Sequence, residues 1–275
     1  MNDRVTVSLE GGVADVRLVR TDKMNALDDA MFEALIAAGE RLKSEAGLRA
    51  VVLSGEGRAF CAGLDIGSFG RMADGSRRAE ASRGPGGGDL AARSHGIANR
   101  AQYAVWVWRE VPVPVIAAVH GVAFGGGFQL CLGADMRYVT PDARLAVLEI
   151  KWGLVPDMAG TQLMRHLARE DIVRELTFTG RIFSGEEALA MGFATKVCAD
   201  PHAEALAVAH EIAAKNPDAV RASKRLLNTA PVTDPASGLL QETREQIALI
   251  GSPNQVEAVM ANLGKRAPVF NDGAG

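Results

Sequence analysis

Three observations predict an α/β fold. Short β-branched runs alternate with helical segments through the first two hundred residues, two of these runs end in glycine turns, and beyond Pro201 the pattern becomes purely helical. Val5 to Leu9, Gly11-Gly12 and Val13 to Val19 read as a β-hairpin, with alternation in Val5-Thr6-Val7-Ser8-Leu9. Asp28 or Asp29 supplies the cap of a helix whose apolar face uses Met31, Leu35, Ala38 and Leu42. Ala50-Val51-Val52-Leu53 is a strand, and it leads to the first turn, Ala59-Phe60-Cys61-Ala62-Gly63-Leu64-Asp65-Ile66. From Gly67 to about Gly88 the composition turns to Gly, Arg, Ser and Ala, a length that marks a functional or disordered loop. Arg71, Arg77, Arg78, Arg83, Arg93 and Arg100 read as solvated charges of a mobile loop there, not as a binding patch.

A helix over about Ser94 to Arg109 returns the chain to Pro112 and to a strand from Val113 to Val119. The second turn follows, His120-Gly121-Val122-Ala123-Phe124-Gly125-Gly126-Gly127, and leads into a helix from Gly126 to about Gly133. Ser184-Gly185-Glu186-Glu187 is a capping box for a helix that ends near Gly192. Helices are expected over Ala203 to Lys215, Pro217 to Leu227 and about Leu239 to Leu249. Ser252-Pro253-Asn254-Gln255 opens a last one, with a second capping box and proline at the first helical position. The switch near residue 200 divides the chain into a core, 1–200, and a helical region, 201–275.

Composition excludes several classes of function. Of 275 residues, 48% are apolar and 23% charged, ordinary for a globular protein with a large core. A net charge of −3 and a pI near 6.0 give no electrostatic footprint for nucleic acid or an anionic membrane. Cys61, Cys131 and Cys198 form no C-x-x-C pair, so a zinc site or disulfide framework is not expected, and they read as small buried residues in a reducing cytoplasm. Met1-Asn2-Asp3-Arg4-Val5-Thr6 has no signal-peptide pattern, and no apolar run approaches membrane-spanning length. The expected location is therefore cytoplasmic.

The two glycine turns carry the chemistry. Glycines at a strand-to-helix junction let a substrate approach bare backbone amides, and a helix N-terminus adds favourable potential. Two such junctions can aim two N–H donors at one oxygen, which is the construction of an oxyanion hole. At their mutual spacing the turns resemble the paired signatures of the crotonase family, the enoyl-CoA hydratase and isomerase superfamily. The likeness runs from Lys23-Met24-Asn25-Ala26-Leu27 through Gly153-Leu154-Val155-Pro156 to Lys265-Arg266. The resemblance implies a spiral of ββα turns followed by a C-terminal helical trimerisation region, with trimers often pairing into hexamers.

It also implies a site. The backbone N–H groups of Leu64 and Gly126 would hold a thioester oxygen as it becomes an enolate. Glu149, a carboxylate within Leu145-Ala146-Val147-Leu148-Glu149-Ile150, matches the family's proton-transfer Glu beside the thioester; without the resemblance it reads as an edge-strand Glu facing solvent. Gln129 occupies the position where hydratases place a second Glu, and an amide cannot act as a base. Asp157, where hydratases usually carry Gly, matches the dienoyl-CoA isomerase branch, although that branch has Asp where Gln129 stands. Ala62, Asp65 and Ile66 match a segment lining the adenine and pantetheine path, and Lys23 and Lys265 match positions near the CoA phosphates, Lys265 often from a neighbouring subunit. Trp106 and Trp108 read as core or interface residues before acyl-pocket ones.

The resulting expectation is an acyl-CoA enzyme that shifts double bonds through Glu149 and Asp157, with coenzyme A as part of the substrate and no separate cofactor or metal. Hydration of a 2-enoyl-CoA is the first alternative, and a non-catalytic acyl-CoA-binding homologue the second. No G-x-S-x-G, G-x-x-x-x-G-K-[ST] or H-E-x-x-H is present, and Gly125-Gly126-Gly127 lacks dinucleotide-binding spacing.

Overall fold

The computed structural model describes residues 3–67 and 90–272. The Gly/Arg-rich stretch read as a loop falls mainly on residues 68–89 and lies outside the described residues. β1 (Val5–Glu10) and β2 (Val13–Leu18) form the expected antiparallel hairpin, Val5 opposite Leu18. Asp28 caps α1 (Asp29–Lys43), its carboxylate accepting from the Met31 amide at 2.8 Å, and Met31, Leu35, Ala38 and Leu42 are buried. β3 (Ala50–Gly55) is buried along its whole length.

α2 (Arg100–Glu110) starts later than the sequence suggests. Asn99 and Gln102 form a reciprocal capping box there, while His95 and Ala98 pair in a tight turn upstream. Of the arginines assigned to the loop, Arg100 instead bridges Asp29 and Glu33 at 3.1 and 3.3 Å. Trp108 is fully buried and donates its indole N–H to the Ala104 carbonyl, as the core reading required.

Next come β4 (Val115–Val119), β5 (Val122–Phe124), α3 (Gly126–Leu132), β6 (Met136–Val139) and β7 (Arg144–Ala146). α4 (Gly160–Met164), α5 (Glu170–Thr179), β8 (Phe183–Ser184), α6 (Gly185–Met191) and β9 (Lys196–Val197) follow. A six-stranded sheet has the order β1-β2-β3-β4-β6-β9 and is parallel from β2 onward. A second sheet, β5-β7-β8, takes the strands that directly follow β4 and β6. β4, β5 and α3 thus make one ββα turn of a spiral, and β6 and β7 with the helices after them begin the next.

Two things hold α3 in place. Every one of its residues is buried, and Phe128 packs edge-on against Phe183 and Phe193 with centroids 5.5 Å away in both cases. Such aromatic pairs add roughly 0.5–1.5 kcal/mol beyond area burial.

α7 (Pro201–Ala213) lies on the far face of the large sheet, its Ala205, Ala209 and Ala213 against Val52, Ile116 and Ala118. An alanine stripe lets a helix approach a sheet closely. α8 (Pro217–Thr229) is anchored through Lys224, whose buried ammonium donates to Asp135 at 2.7 Å and to the Val113 and Trp108 carbonyls at 2.8 and 3.2 Å. All three donors are used; breaking such a pair costs about 3–5 kcal/mol. α9 (Pro235–Leu249) and α10 (Pro253–Leu263) complete the chain. Ser252 caps α10, but the expected reciprocal bond is absent, because the Gln255 side chain accepts from Gly251 at 2.9 Å.

Candidate active site

The segment after β3 is stitched onto β5. Phe60, Cys61 and Phe124 amides donate to the carbonyls of His120, Val122 and Cys61 at 2.9, 3.1 and 3.1 Å. This brings the two glycine turns into contact, and the glycines are what allow it. Gly63 has φ +87°, and a Cβ there would sit 2.4 Å from the Phe124 carbonyl oxygen. A Cβ on Gly127 would meet the Cys61 carbonyl oxygen at 2.2 Å. The side chain is excluded at both positions.

On its other edge the first turn pairs with Leu27, whose amide donates to Gly63 and whose carbonyl accepts from Asp65, at 2.8 and 3.0 Å. In a parallel ladder the residue between those two points its own N–H the opposite way. That residue is Leu64. Gly126 is the first residue of α3, so its N–H is one of the donors a helix leaves without an internal acceptor. Among the described residues neither amide has a protein acceptor. The turns abut so closely that a Cβ on Gly63 would lie 3.7 Å from the Gly126 nitrogen. Two unspent donors at this junction have the makings of an oxyanion hole.

Glu149 begins a 3-10 turn, Glu149–Trp152, and is not part of a strand. β7 stops at Ala146, and Leu148 at φ −99°, ψ 0° breaks the extended path. The solvent-facing edge-strand alternative is therefore corrected: the carboxylate turns inward. Its Oε1 accepts from Gln129 Nε2 at 2.6 Å, while Oε2 is buried with no hydrogen-bond partner. Burial pushes the Glu149 carboxyl above its ordinary value, the nearby charge of Asp157 adds to this, and the bond from Gln129 opposes it. Asp157 lies near enough for its field to reach Glu149, and it is exposed on the single chain. Gln129 is only 1% exposed.

The raised carboxyl has a consequence for stability. A folded-state pKa above the unfolded value means that the native state holds its proton longer. Stability from this group is full below the ordinary carboxylate value and is lost as pH rises through the folded value. Glu149→Gln cannot ionise, so the melting temperature of the variant minus that of the parent should climb as pH rises from the ordinary carboxylate value through the raised one. Parallel melting curves across that range would contradict the assignment of a buried, ionising Glu149.

The residues that the resemblance directs to CoA separate into two groups. Ala62 and Asp65 lie in the first turn, and Ile66, 79% exposed, projects from it. The Asp65 carboxylate is occupied, accepting from Arg20 at 2.8 Å and from the Gly67 amide at 2.8 Å, so it braces the turn from within. Lys23 is exposed on a short 3-10 turn preceding Met24 and Asn25, and Ala62 donates to the Met24 carbonyl at 2.9 Å. Lys265 lies after α10 and has no hydrogen bond or ion pair to the 61–66 turn among the described residues.

Sequence reasoning missed Asn25, Leu27, Met158 and Arg20. Asn25 is fully buried and donates to the Glu56 and Ala59 carbonyls at 3.0 and 2.8 Å, clamping the start of the first turn. Met24 and Asn25 have φ +50° and +57°, a left-handed pair without glycine, the kind of strain that collects at functional sites. Leu27 and Met158 wall the Gly126 amide, since a Cβ there would meet them at 2.9 and 2.8 Å. An asparagine inside an otherwise apolar Met-x-Ala-Leu run was the available signal.

Comparison with known proteins shows the family. Residues 8–273 match the family described as enoyl-CoA hydratase/isomerase. The human mitochondrial Delta(3,5)-Delta(2,4)-dienoyl-CoA isomerase is 36% identical over 228 residues, 80% of this chain; the match spans 66% of that protein's length. A probable enoyl-CoA hydratase of Bacillus subtilis is 30% identical over 258 residues, 93% of this chain and 94% of that one. The crystal structure of an enoyl-CoA hydratase from Bacillus anthracis superposes with a TM-score of 0.85 at 28% identity, covering 98% of this chain and all of the other.

Proposed function

Because the chain belongs to the enoyl-CoA hydratase/isomerase family, we propose that it moves the double bonds of an enoyl- or dienoyl-CoA through a thioester enolate. The observation that carries this reading is the carboxylate set: a buried Glu149 with one unpartnered oxygen, Asp157 within its field, and an amide at Gln129. Leu64 and Gly126 donate to the thioester oxygen. Glu149 takes a proton from the carbon next to the thioester carbonyl, and Asp157 returns one further along the chain. No electrons are gained or lost, so the reaction asks for no redox cofactor, and coenzyme A enters as part of the substrate. Ala62, Asp65 and Ile66 border the nucleotide path, with Lys23 and a neighbouring subunit's Lys265 near its phosphates.

Hydration is the second reading, favoured by the match to the Bacillus subtilis relative along nearly its whole length. Ultraviolet absorbance with a panel of 2-enoyl, 3-enoyl and 3,5-dienoyl thioesters separates the two. Migration brings the 3-enoyl and 3,5-dienoyl double bonds into conjugation with the thioester, whereas hydration removes the 2-enoyl absorbance.

The assembly we propose is a homotrimer or a pair of trimers, without nucleic-acid or membrane partners, in the cytoplasm. No helix among the described residues is long and apolar enough to cross a membrane. No residue of α9 is buried, and Leu239, Ile247, Ile250, Met260 and Leu263 are 56–76% exposed on α9, α10 and the turn between them. An apolar surface of this kind marks an interface, and closed symmetry suits it. Sedimentation or light scattering should give three or six times the 29.0 kDa chain mass. A stable monomer at micromolar concentration would overturn the assembly.

A further inference from the structure

We infer that Gln129 is the positioning residue of this site: its amide ties the loop carrying Asp157 to Glu149 Oε1 and leaves Oε2 as the proton-exchanging oxygen. The inference rests on the proton-transfer reading above and adds to it the element that sets the two carboxylates relative to each other.

The orientation of the amide is fixed by its neighbours. Gln129 Oε1 accepts from the backbone amides of Met158 and Gly160 at 2.8 and 2.9 Å. Its Nε2 must then be the atom facing Glu149 Oε1 at 2.6 Å. The flipped amide would set an NH2 group against two N–H donors and a carbonyl against a carboxylate. Gln129 also stands on α3, three residues from Gly126, and so on the same helix face as the proposed oxyanion donor.

The loop is wrapped onto this side chain. Ala159 is held at φ +66°, a left-handed conformation for a residue with a Cβ, and it lies between the two amides that converge on Gln129 Oε1. Gly160 leaves no room for a side chain, since a Cβ there would be 2.6 Å from the same oxygen. Asp157 immediately precedes Met158, so its backbone position is set by the same bonds.

The result at Glu149 is asymmetric. One oxygen is spent on Gln129, and the other is buried and unpaired among the described residues. A buried acceptor without a partner calls for an explanation, and a substrate C–H arriving at Oε2 supplies it. The amide donates but cannot take up the proton, so the proton stays on Glu149 until it is exchanged. The backbone amides of Glu149 and Leu148 act on this carboxyl in the same direction as Gln129, lowering its pKa, while the charge of Asp157 on the neighbouring loop raises it.

Two variants test the role by readouts that packing alone would not move. Gln129→Glu retains an oxygen for the Met158 and Gly160 amides but sets its other oxygen against Glu149 Oε1, so the pair must share a proton. The Glu149 carboxyl titration is followed by infrared difference spectroscopy, assigned with Glu149→Gln, alongside the pH profile of kcat/KM. The titration and the acid limb of the profile should both move up by about one pH unit or more, with the fold retained. Gln129→Met, of similar length without hydrogen bonds, should lower kcat about 10- to 100-fold with little change in KM, the range for losing a bond to a charged group. An unshifted titration in Gln129→Glu, or parental kcat in Gln129→Met, would overturn the inference. The infrared titration needs no turnover, so it decides the point even if the parent protein acts on none of the thioesters, the result that would sink the functional reading instead. If Gln129→Met does not fold, the Gln129→Glu titration decides alone.

Discussion

Gly126→Pro should turn over enoyl or dienoyl thioesters about 10²–10³-fold more slowly than Gly126→Ala, a loss of about 2.7–4 kcal/mol of transition-state stabilisation. The comparison with alanine is essential. Either residue introduces a Cβ that presses on Met158 Sδ at 2.8 Å and Leu27 Cδ1 at 2.9 Å, so both share the steric cost. Only proline also removes the N–H. The backbone accepts the ring, because Gly126 is the first residue of α3, where proline is favoured. Gly125 before it, at φ +50°, ψ −117°, is clear of the α region that a following proline disfavours. Circular dichroism melting of the two variants should agree within a few degrees, and absorbance assays should separate them. Equal turnover in the two would remove the Gly126 amide from the mechanism.

The meeting of the two glycine turns was legible in the sequence for a physical reason. The turns work through bare backbone, so glycines at Gly63 and Gly127 are demanded by contacts of 2.4 and 2.2 Å that no side chain can survive. Capping is likewise a local code, and Asp28 and Ser184 cap the helices expected of them. Where the code has two local solutions it misleads. Ser94 and Asn99 both precede a helical run, and Asn99 takes the cap; its side chain also donates to the Leu90 carbonyl at 3.0 Å. α5 went unread because Arg169 offers no side-chain cap and Leu176 alone is buried. The candidate site could be read as residues but not as an arrangement. Leu145 to Ile150 is too short an apolar run to tell a strand from the turn that swings Glu149 inward. Gln129 could be read as the loss of an acid, but its bonds to Met158 and Gly160 depend on a loop some thirty positions downstream.

The carboxylates are where the chemistry divides. On the proposed reading, with the thioester oxygen held by Leu64 and Gly126, loss of a proton beside the carbonyl to Glu149 Oε2 would leave a dienolate. Asp157 would then deliver a proton at a more distant carbon, and the double bonds would have moved with no atom added. Asp157 is exposed on the single chain, whereas Glu149 is buried and held by Gln129; environments this different suit one group to each proposed role. Glu149→Gln and Asp157→Asn should each slow migration by about 10²–10⁴-fold, the range for losing general acid–base catalysis. Each keeps the shape of its side chain, so acyl-CoA affinity should change far less than kcat. Loss of Glu149 should also abolish exchange of the proton beside the carbonyl with deuterated solvent, whereas loss of Asp157 should spare that exchange and block only the second transfer. Hydration makes different demands: a 2-enoyl-CoA becomes its 3-hydroxy product, with loss of conjugated absorbance and uptake of oxygen-18 from labelled water. Rapid hydration by the parent protein, without migration on 3-enoyl or 3,5-dienoyl substrates, would sink the isomerase reading. Activity that survives removal of both carboxylates would sink the site assignment with it.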